Sequence, residues 1–175
     1  VLDGFDEAPI TAEEIDRIYE GGGAACIHNP ATGREATIPQ IVPKTTGKHK
    51  TIAIAGAGPA GLEAARVAAE RGHKVILFEA APQAGGQIRL ATQIKRRREI
   101  IGIVDWRVSQ CEKLGVDMRF NTYAEAEDLL ALSPDVIIVA TGGLPQNLTI
   151  ESGADLAVST WDILSGDVKP AEDVL

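Results

Sequence analysis

Residues 1–50 and the rest of the chain follow different patterns of apolar and polar positions. Thr11-Ala12-Glu13-Glu14 reads as a capping box that opens a short helix to about Tyr19, ended by Gly21-Gly22-Gly23. Ala24 to Lys50 has little periodicity and is punctuated by Pro30, Pro39 and Pro43, which predicts extended peptide leaning on a neighbouring domain. The pattern changes at Thr51. Thr51–Ala55 has the length and apolarity of a buried strand, and Gly56-Ala57-Gly58-Pro59-Ala60-Gly61 forms a tight turn. Leu62–Arg71 is an alanine-rich helix ended by Gly72, and Lys74–Glu79 is a second strand.

Strand, glycine turn, helix and strand within about 30 residues make one βαβ crossover, and a crossover implies a parallel sheet. Pro82 to Gly86 reads as a loop. Ile100, Ile101, Ile103, Val104 and Val108 recur at helical spacing over Arg98 to Leu114, and Gly115 stops that helix. Val116–Phe120 is a third strand, Glu125–Leu132 a short helix, and Asp135–Ala140 a fourth strand running into Thr141-Gly142-Gly143. Leu144–Leu175 reads as surface peptide with a short helix around Trp161–Leu164. The fold class is therefore α/β: a Rossmann-like parallel sheet with flanking helices. An irregular linker (1–50) precedes the nucleotide-binding domain (51–145), and a C-terminal extension (146–175) follows it.

Composition narrows the function classes. The chain is 45% hydrophobic and 24% charged, an ordinary folded balance. Its net charge of −8 argues against a nucleic-acid partner, because phosphate backbones need a basic face. The basic run Lys95-Arg96-Arg97-Arg98 is short and reads as a solvated loop or helix start. Apolar runs such as Val136–Ala140 are too short to span a bilayer. The acidic opening Val1–Glu7 lacks the apolar core of a secretory leader, and Cys26 and Cys111 stand far apart without a CxxC spacing. A reduced, cytoplasmic setting is expected.

The glycine turn carries the chemistry. Gly56 permits the sharp strand-to-helix turn, Gly58 lets the backbone lie against phosphates, and Gly61 lets the helix pack tightly on the strand. N–H groups at the start of the helix then face the anion, and Pro59 suits that start because its missing N–H has no intrahelical partner there anyway. A lone GxGxxG is weak, but here Glu79 ends the second strand 18 residues beyond Gly61. A carboxylate at that place accepts hydrogen bonds from adenosine ribose hydroxyls and repels a 2′-phosphate, which disfavours NADP. The ligand is an adenine dinucleotide, FAD or NAD. Gly85-Gly86-Gln87 after the second strand, together with Ala140-Thr141-Gly142 at a later strand's carboxyl end, favours FAD. The candidate cofactor-binding set is Gly56, Gly58, Pro59, Ala60, Gly61, Glu79, Ala80, Gly86, Gln87, Arg89, Ala140, Thr141 and Gly142. No catalytic residue is assigned. His28 and His73 share no metal-ligand spacing and are expected to be structural or exposed, while Trp106 and Trp161 are expected to pack against further domains.

At Ile52–Gly61, Phe78-Glu79-Ala80 with Gly85-Gly86-Gln87, and Ile138–Gly142, the chain resembles the flavin domain of the NADH:flavin oxidoreductases related to 2,4-dienoyl-CoA reductase and trimethylamine dehydrogenase. Cys26-Ile27-His28-Asn29-Pro30 resembles the family's linker. Asp16–Tyr19 through Arg34-Glu35 is loosely similar to the N-methylproline (stachydrine-type) demethylase branch. The resemblance implies a larger flavin oxidoreductase in which a TIM barrel of typically ~250 residues, carrying FMN and a four-iron cluster, precedes this domain. It implies FAD here, with ADP or NAD as alternatives, since trimethylamine dehydrogenase-like relatives hold ADP at the equivalent turn. This chain would then be an inactive piece of an N-demethylase or enoyl reductase, or a non-catalytic ADP- or NAD-binding scaffold. Cys26 matches the family's last cluster ligand, but its partner positions hold Glu7, Ile10 and Glu14. One thiolate cannot hold a cluster that takes four, so no metal site is assigned, and both Cys26 and Cys111 are expected to be buried free thiols.

Overall fold

The computed structural model describes Cys26, residues 29–145, Ser152, Gly153 and residues 156–169. The helix expected at Thr11–Tyr19 and the side chain of His28 lie outside the described residues. Two compact units divide the chain, Val1–Pro43 and Lys44–Leu175. In the first, residues 29–37 run as successive turns and 38–43 as irregular chain; Asn29 Oδ1 accepts the Ala31 N–H at 3.0 Å, and Ala31 is buried. Cys26 forms a bridge with Asn29 and is exposed. This corrects the expectation of a buried thiol: the Cys26–Asn29 bridge leaves the side chain facing solvent.

The second unit is a parallel four-stranded sheet of order β3-β2-β1-β4. The strands are β1 (Thr51–Ala55), β2 (Lys74–Phe78), β3 (Asp117–Arg119) and β4 (Val136–Val139). The helices are α1 (Pro59–Glu70), α2 (Gln87–Ala91), α3 (Gly102–Lys113), α4 (Ala126–Ala131) and α5 (Thr160–Ser165), with a 3₁₀ segment at Lys95–Ile101. The α/β reading holds, with differences at element ends. The expected helix from Arg98 enters as 3₁₀ and turns α-helical only at Gly102, a common transition at helix starts. Helix α2 was not foreseen, because five residues are too few to show a period. Among the described residues, no helix is long and apolar enough to cross a membrane.

Register explains the core. Ile52 sits opposite Val75 and Ile54 opposite Leu77, and these four join Leu62, Ala65, Val104 and Cys111 under α1 and α3. Ala53, Ala55, Ile76 and Phe78 point to the other face, where Leu129 of α4 covers them. The α1 face is made of Gly61, Leu62, Ala65, Ala68 and Ala69, small side chains at helical spacing that bring the helix axis close to the sheet. The second face is more thinly covered: Leu130 and Val139 are 61% and 73% exposed.

Residues 44–50 belong to this unit through hydrogen bonds. Thr45 N donates to the Arg71 carbonyl (2.9 Å), His49 Nδ1 to the Gly72 carbonyl (2.6 Å), and Lys50 N to His73 Nδ1 (3.2 Å). His73 thus has a structural partner at its helix–strand turn. Cys111 is buried with its Sγ 3.6 Å from the Leu62 carbonyl, and burial pushes its thiol up to about 11. It is a core side chain, inert at neutral pH.

Helices α1 and α3 are also joined by charge. Glu63 binds Arg66 of its own helix and Arg107 of α3 (2.9 Å), and both guanidinium groups lie over the Trp106 ring, at 5.4 and 5.7 Å. Trp106, half exposed, is therefore a platform for these cations. Burial pushes the Glu63 carboxyl up, but the hydrogen bond and charge of Arg66, followed by those of Arg107, outweigh it and hold the carboxyl below its ordinary 4.5. A carboxyl lowered by folding contributes stability that is complete above its unfolded value and is lost as pH falls through its folded value. Urea midpoints followed from about pH 6 to about pH 3.5 should therefore drop less steeply in Glu63→Gln than in wild type. Parallel curves would mean that the Glu63 network contributes nothing to acid stability.

Candidate functional site

The sheet order fixes where a ligand crevice can open. From β1 the chain builds outward through β2 and β3, then returns to place β4 on the other side of β1. In open α/β sheets such a reversal leaves a crevice at the carboxyl ends of the strands. Hydrogen bonds continue the ladder past the strands there: Gly56 N to the Phe78 carbonyl, Ala140 N to the Ala55 carbonyl and Glu79 N to the Arg119 carbonyl, all between 2.8 and 2.9 Å. The glycine turn, Glu79 and Ala140-Thr141 thus leave the sheet at one level.

Each glycine of the turn has a different steric reason. Gly56 has φ +98°, and a Cβ on it would collide with the Ala140 carbonyl. A Cβ on Gly61 would collide with the Gly56 carbonyl oxygen. Gly58 is the reverse: a Cβ there meets nothing within 4 Å, and its φ of −70° and ψ of 179° suit any residue. Its side of the turn is open where the first N–H groups of α1 begin. Pro59 is the first helical residue, and Ala60 follows it exposed.

Ala57 lies under this opening, wholly buried, with both of its backbone polar groups engaged. Its N–H donates to Glu79 Oε2 at 2.7 Å, and its carbonyl accepts the Gly85 N–H at 2.8 Å. Glu79 Oε1 accepts a further N–H from Ala81 at 2.9 Å. The carboxylate is therefore turned toward the glycine turn and keeps lone pairs to spare. Ala80, beside it, is exposed.

The other candidates divide. Gly86 lies against Gly58, where an added Cβ would stand 3.4 Å from the Gly58 Cα. Gln87 Nε2 donates to the Gly143 carbonyl (2.7 Å) and passes Gly142, which has φ +76°. The Gly-Gly-Gln and Thr-Gly-Gly segments are thereby tied across the turn. Arg89 is not brought to it: Nε donates to the Ala84 carbonyl (2.5 Å), and the side chain lines an open cavity of about 310 Å³ with Pro82, Val104, Ser109 and Phe120. Sequence reasoning left out Ala57, Ala81, Gly85 and Gly143, whose contributions are backbone groups. Only the neighbouring glycines hinted at the last two. No group of three or more metal-ligating side chains comes together among the described residues.

A glycine turn at the topological reversal of a parallel sheet, faced by an acidic residue ending the next strand, defines a dinucleotide-binding α/β domain. The chain belongs to the pyridine nucleotide-disulphide oxidoreductase family, whose sequence profile matches residues 50–171. It is 61% identical over 161 residues to a probable N-methylproline demethylase of Rhizobium meliloti, covering 92% of this chain and 24% of that protein. It is 54% identical to a multifunctional alkene reductase/demethylase of Caballeronia cordobensis, covering 81% of this chain and 21% of that protein. A solved 2-naphthoyl-CoA reductase superposes with a TM-score of 0.77 at 32% identity, over 85% of this chain and 22% of its own. The resemblance to the NADH:flavin oxidoreductases drawn from the motifs is borne out. The chain spans about a quarter of the length of these curated relatives.

The steric argument separates two of the glycines. Gly61→Ala should lower stability by at least about 1–3 kcal/mol, because backbone rather than a movable side chain stands in the way. Gly58→Ala should stay within about 1 kcal/mol of wild type. Urea unfolding of both variants checks this, and equal midpoints would refute the close approach of helix and strand.

Proposed function

We propose that this chain is the FAD-binding domain of a multidomain flavin-dependent oxidoreductase. The observation that supports this best is the open face of Gly58 at the start of α1, with the Glu79 carboxylate fixed beside it. In this reading the N–H groups of Gly58, Ala60 and Gly61 receive the diphosphate, aided by the helix dipole. Gly56 and Gly61 supply the closeness the turn needs, and Pro59 orients the helix start. Glu79 accepts the ribose hydroxyls with its remaining lone pairs, Ala80 borders the adenosine, and a 2′-phosphate is repelled. Gly86 and Gln87 on one side, with Ala140, Thr141 and Gly142 on the other, form the walls along which the rest of the dinucleotide runs, and Arg89, held on its own loop, takes no part. When bound, the flavin supplies hydride and electron transfer, and the chain's own contribution is binding and orientation.

The names of two relatives point to oxidative N-demethylation or enoyl reduction as the parent protein's activity. Substrate contacts, FMN and any four-iron cluster then belong to a TIM-barrel region outside this chain, in a cytoplasmic protein, and the chain alone turns nothing over.

Thermal unfolding with FAD, ADP, NAD and NADP added separately tests the reading, because a ligand of the folded state must raise its melting temperature. FAD and ADP should stabilise wild type, NADP should not, and Gly58→Ala should abolish the shift while folding normally. No stabilisation by any adenine ligand would overturn the assignment. If the purified parent protein were colourless and released ADP on denaturation, the domain would instead be a nucleotide-holding scaffold.

A further inference from the structure

We infer that Glu79 is also a positioning residue: in the nucleotide-free protein its carboxylate clamps the Ala57 peptide and holds the glycine turn in its ligand-ready bend. The inference deepens the nucleotide reading and rests on it for the consequence for affinity.

The segment needs such a clamp. Ala57 stands between two glycines, the residues with the widest choice of backbone conformations, and Gly56 is held at φ +98°. A free Gly-Ala-Gly segment would sample many bends, and a ligand would have to select one of them. The structure restrains it at both polar groups of one peptide residue. The Ala57 N–H reaches Glu79 Oε2 at 2.7 Å, a short, charge-assisted bond, and the Ala57 carbonyl takes the Gly85 N–H at 2.8 Å. Glu79 is itself fixed, since its N–H continues the sheet to Arg119 and Oε1 accepts the Ala81 N–H at 2.9 Å. No ion pair competes for this carboxylate among the described residues. Its other lone pairs stay available, so recognising a ribose and holding the turn do not exclude each other. A turn already bent before the ligand arrives costs the ligand no ordering, which raises affinity without adding a contact to it.

A carboxylate that only bound ribose would behave differently, and two measurements separate the roles. Glu79→Gln keeps the shape but offers an amide N–H₂ to one of the two backbone donors. Glu79→Asp keeps the charge but is one methylene too short to reach Ala57. In the nucleotide-free chain, amide hydrogen exchange at Ala57 should quicken roughly tenfold in both variants relative to the core amide of Ile54. Binding of 2′,3′-dideoxy-ADP, which has no ribose hydroxyls to offer, should also weaken several-fold in both. Unchanged exchange at Ala57, with a loss confined to ADP and absent for the dideoxy ligand, would overturn the clamp while leaving the nucleotide site standing. Quickened exchange in variants of a wild-type chain that binds neither ligand would do the reverse, keeping the clamp and removing the nucleotide function. If one variant fails to fold, the other carries the comparison.

Discussion

At the carboxyl end of β1, three pieces of backbone approach more closely than side chains allow. The Gly56 carbonyl faces Gly61 in the first turn of α1, and Gly56 itself lies against the carbonyl that leaves β4. Main chain meeting main chain at this distance sets the separation of α1 from the sheet. That separation is why α1 buries, besides Leu62, only the small residues Gly61, Ala65, Ala68 and Ala69. What lies outside follows from Gly58: with no side chain there, the outer side of the turn is bare peptide at a helix start. Any change that pushed the helix outward would displace the amides from one another before it removed a contact to a ligand.

A second layer holds this junction in place. Ala57 and Glu79 tie the turn to the end of β2, Gly85 ties it to the following loop, and Gln87 ties that loop to the segment after β4. On the far side of α1, Glu63 and the two arginines stacked on Trp106 fix the helix to α3. Helix α1 is therefore held on one side by apolar packing and on another by charge. The two act differently with conditions: the hydrophobic contacts are indifferent to pH, whereas the carboxylate–guanidinium contacts need Glu63 ionised.

Much of this was legible in the sequence because it depends on residue type at fixed spacing. The continuous apolar runs Ile52 to Ala55 and Val75 to Phe78, the glycines at 56, 58 and 61, and the acid at 79 each have one physical reason to be where they are. What escaped was carried by backbone. The Ala57 N–H that Glu79 accepts and the Gly85 N–H that reaches the Ala57 carbonyl are both main-chain groups, which residue type does not reveal. Arg89 was misplaced for a different reason: a long cation near a phosphate site suggests a partner, but its Nε is taken by the carbonyl of Ala84 on its own loop. Cys26 shows the limit of residue averages, since a thiol is buried only where enough apolar neighbours gather.

Strand β4 reads Val-Ile-Ile-Val and has a sheet neighbour on one side only among the described residues. Its residues alternate between the well-covered face and one where Ile137 and Val139 meet solvent. An apolar strand without a charge or proline, lying at a sheet border, presents free amides and carbonyls to any passing polypeptide of similar character. A border of this kind is an association liability for the chain handled by itself at high concentration. A lysine in place of Val139 would be the simplest remedy for anyone who wished to study it as a monomer.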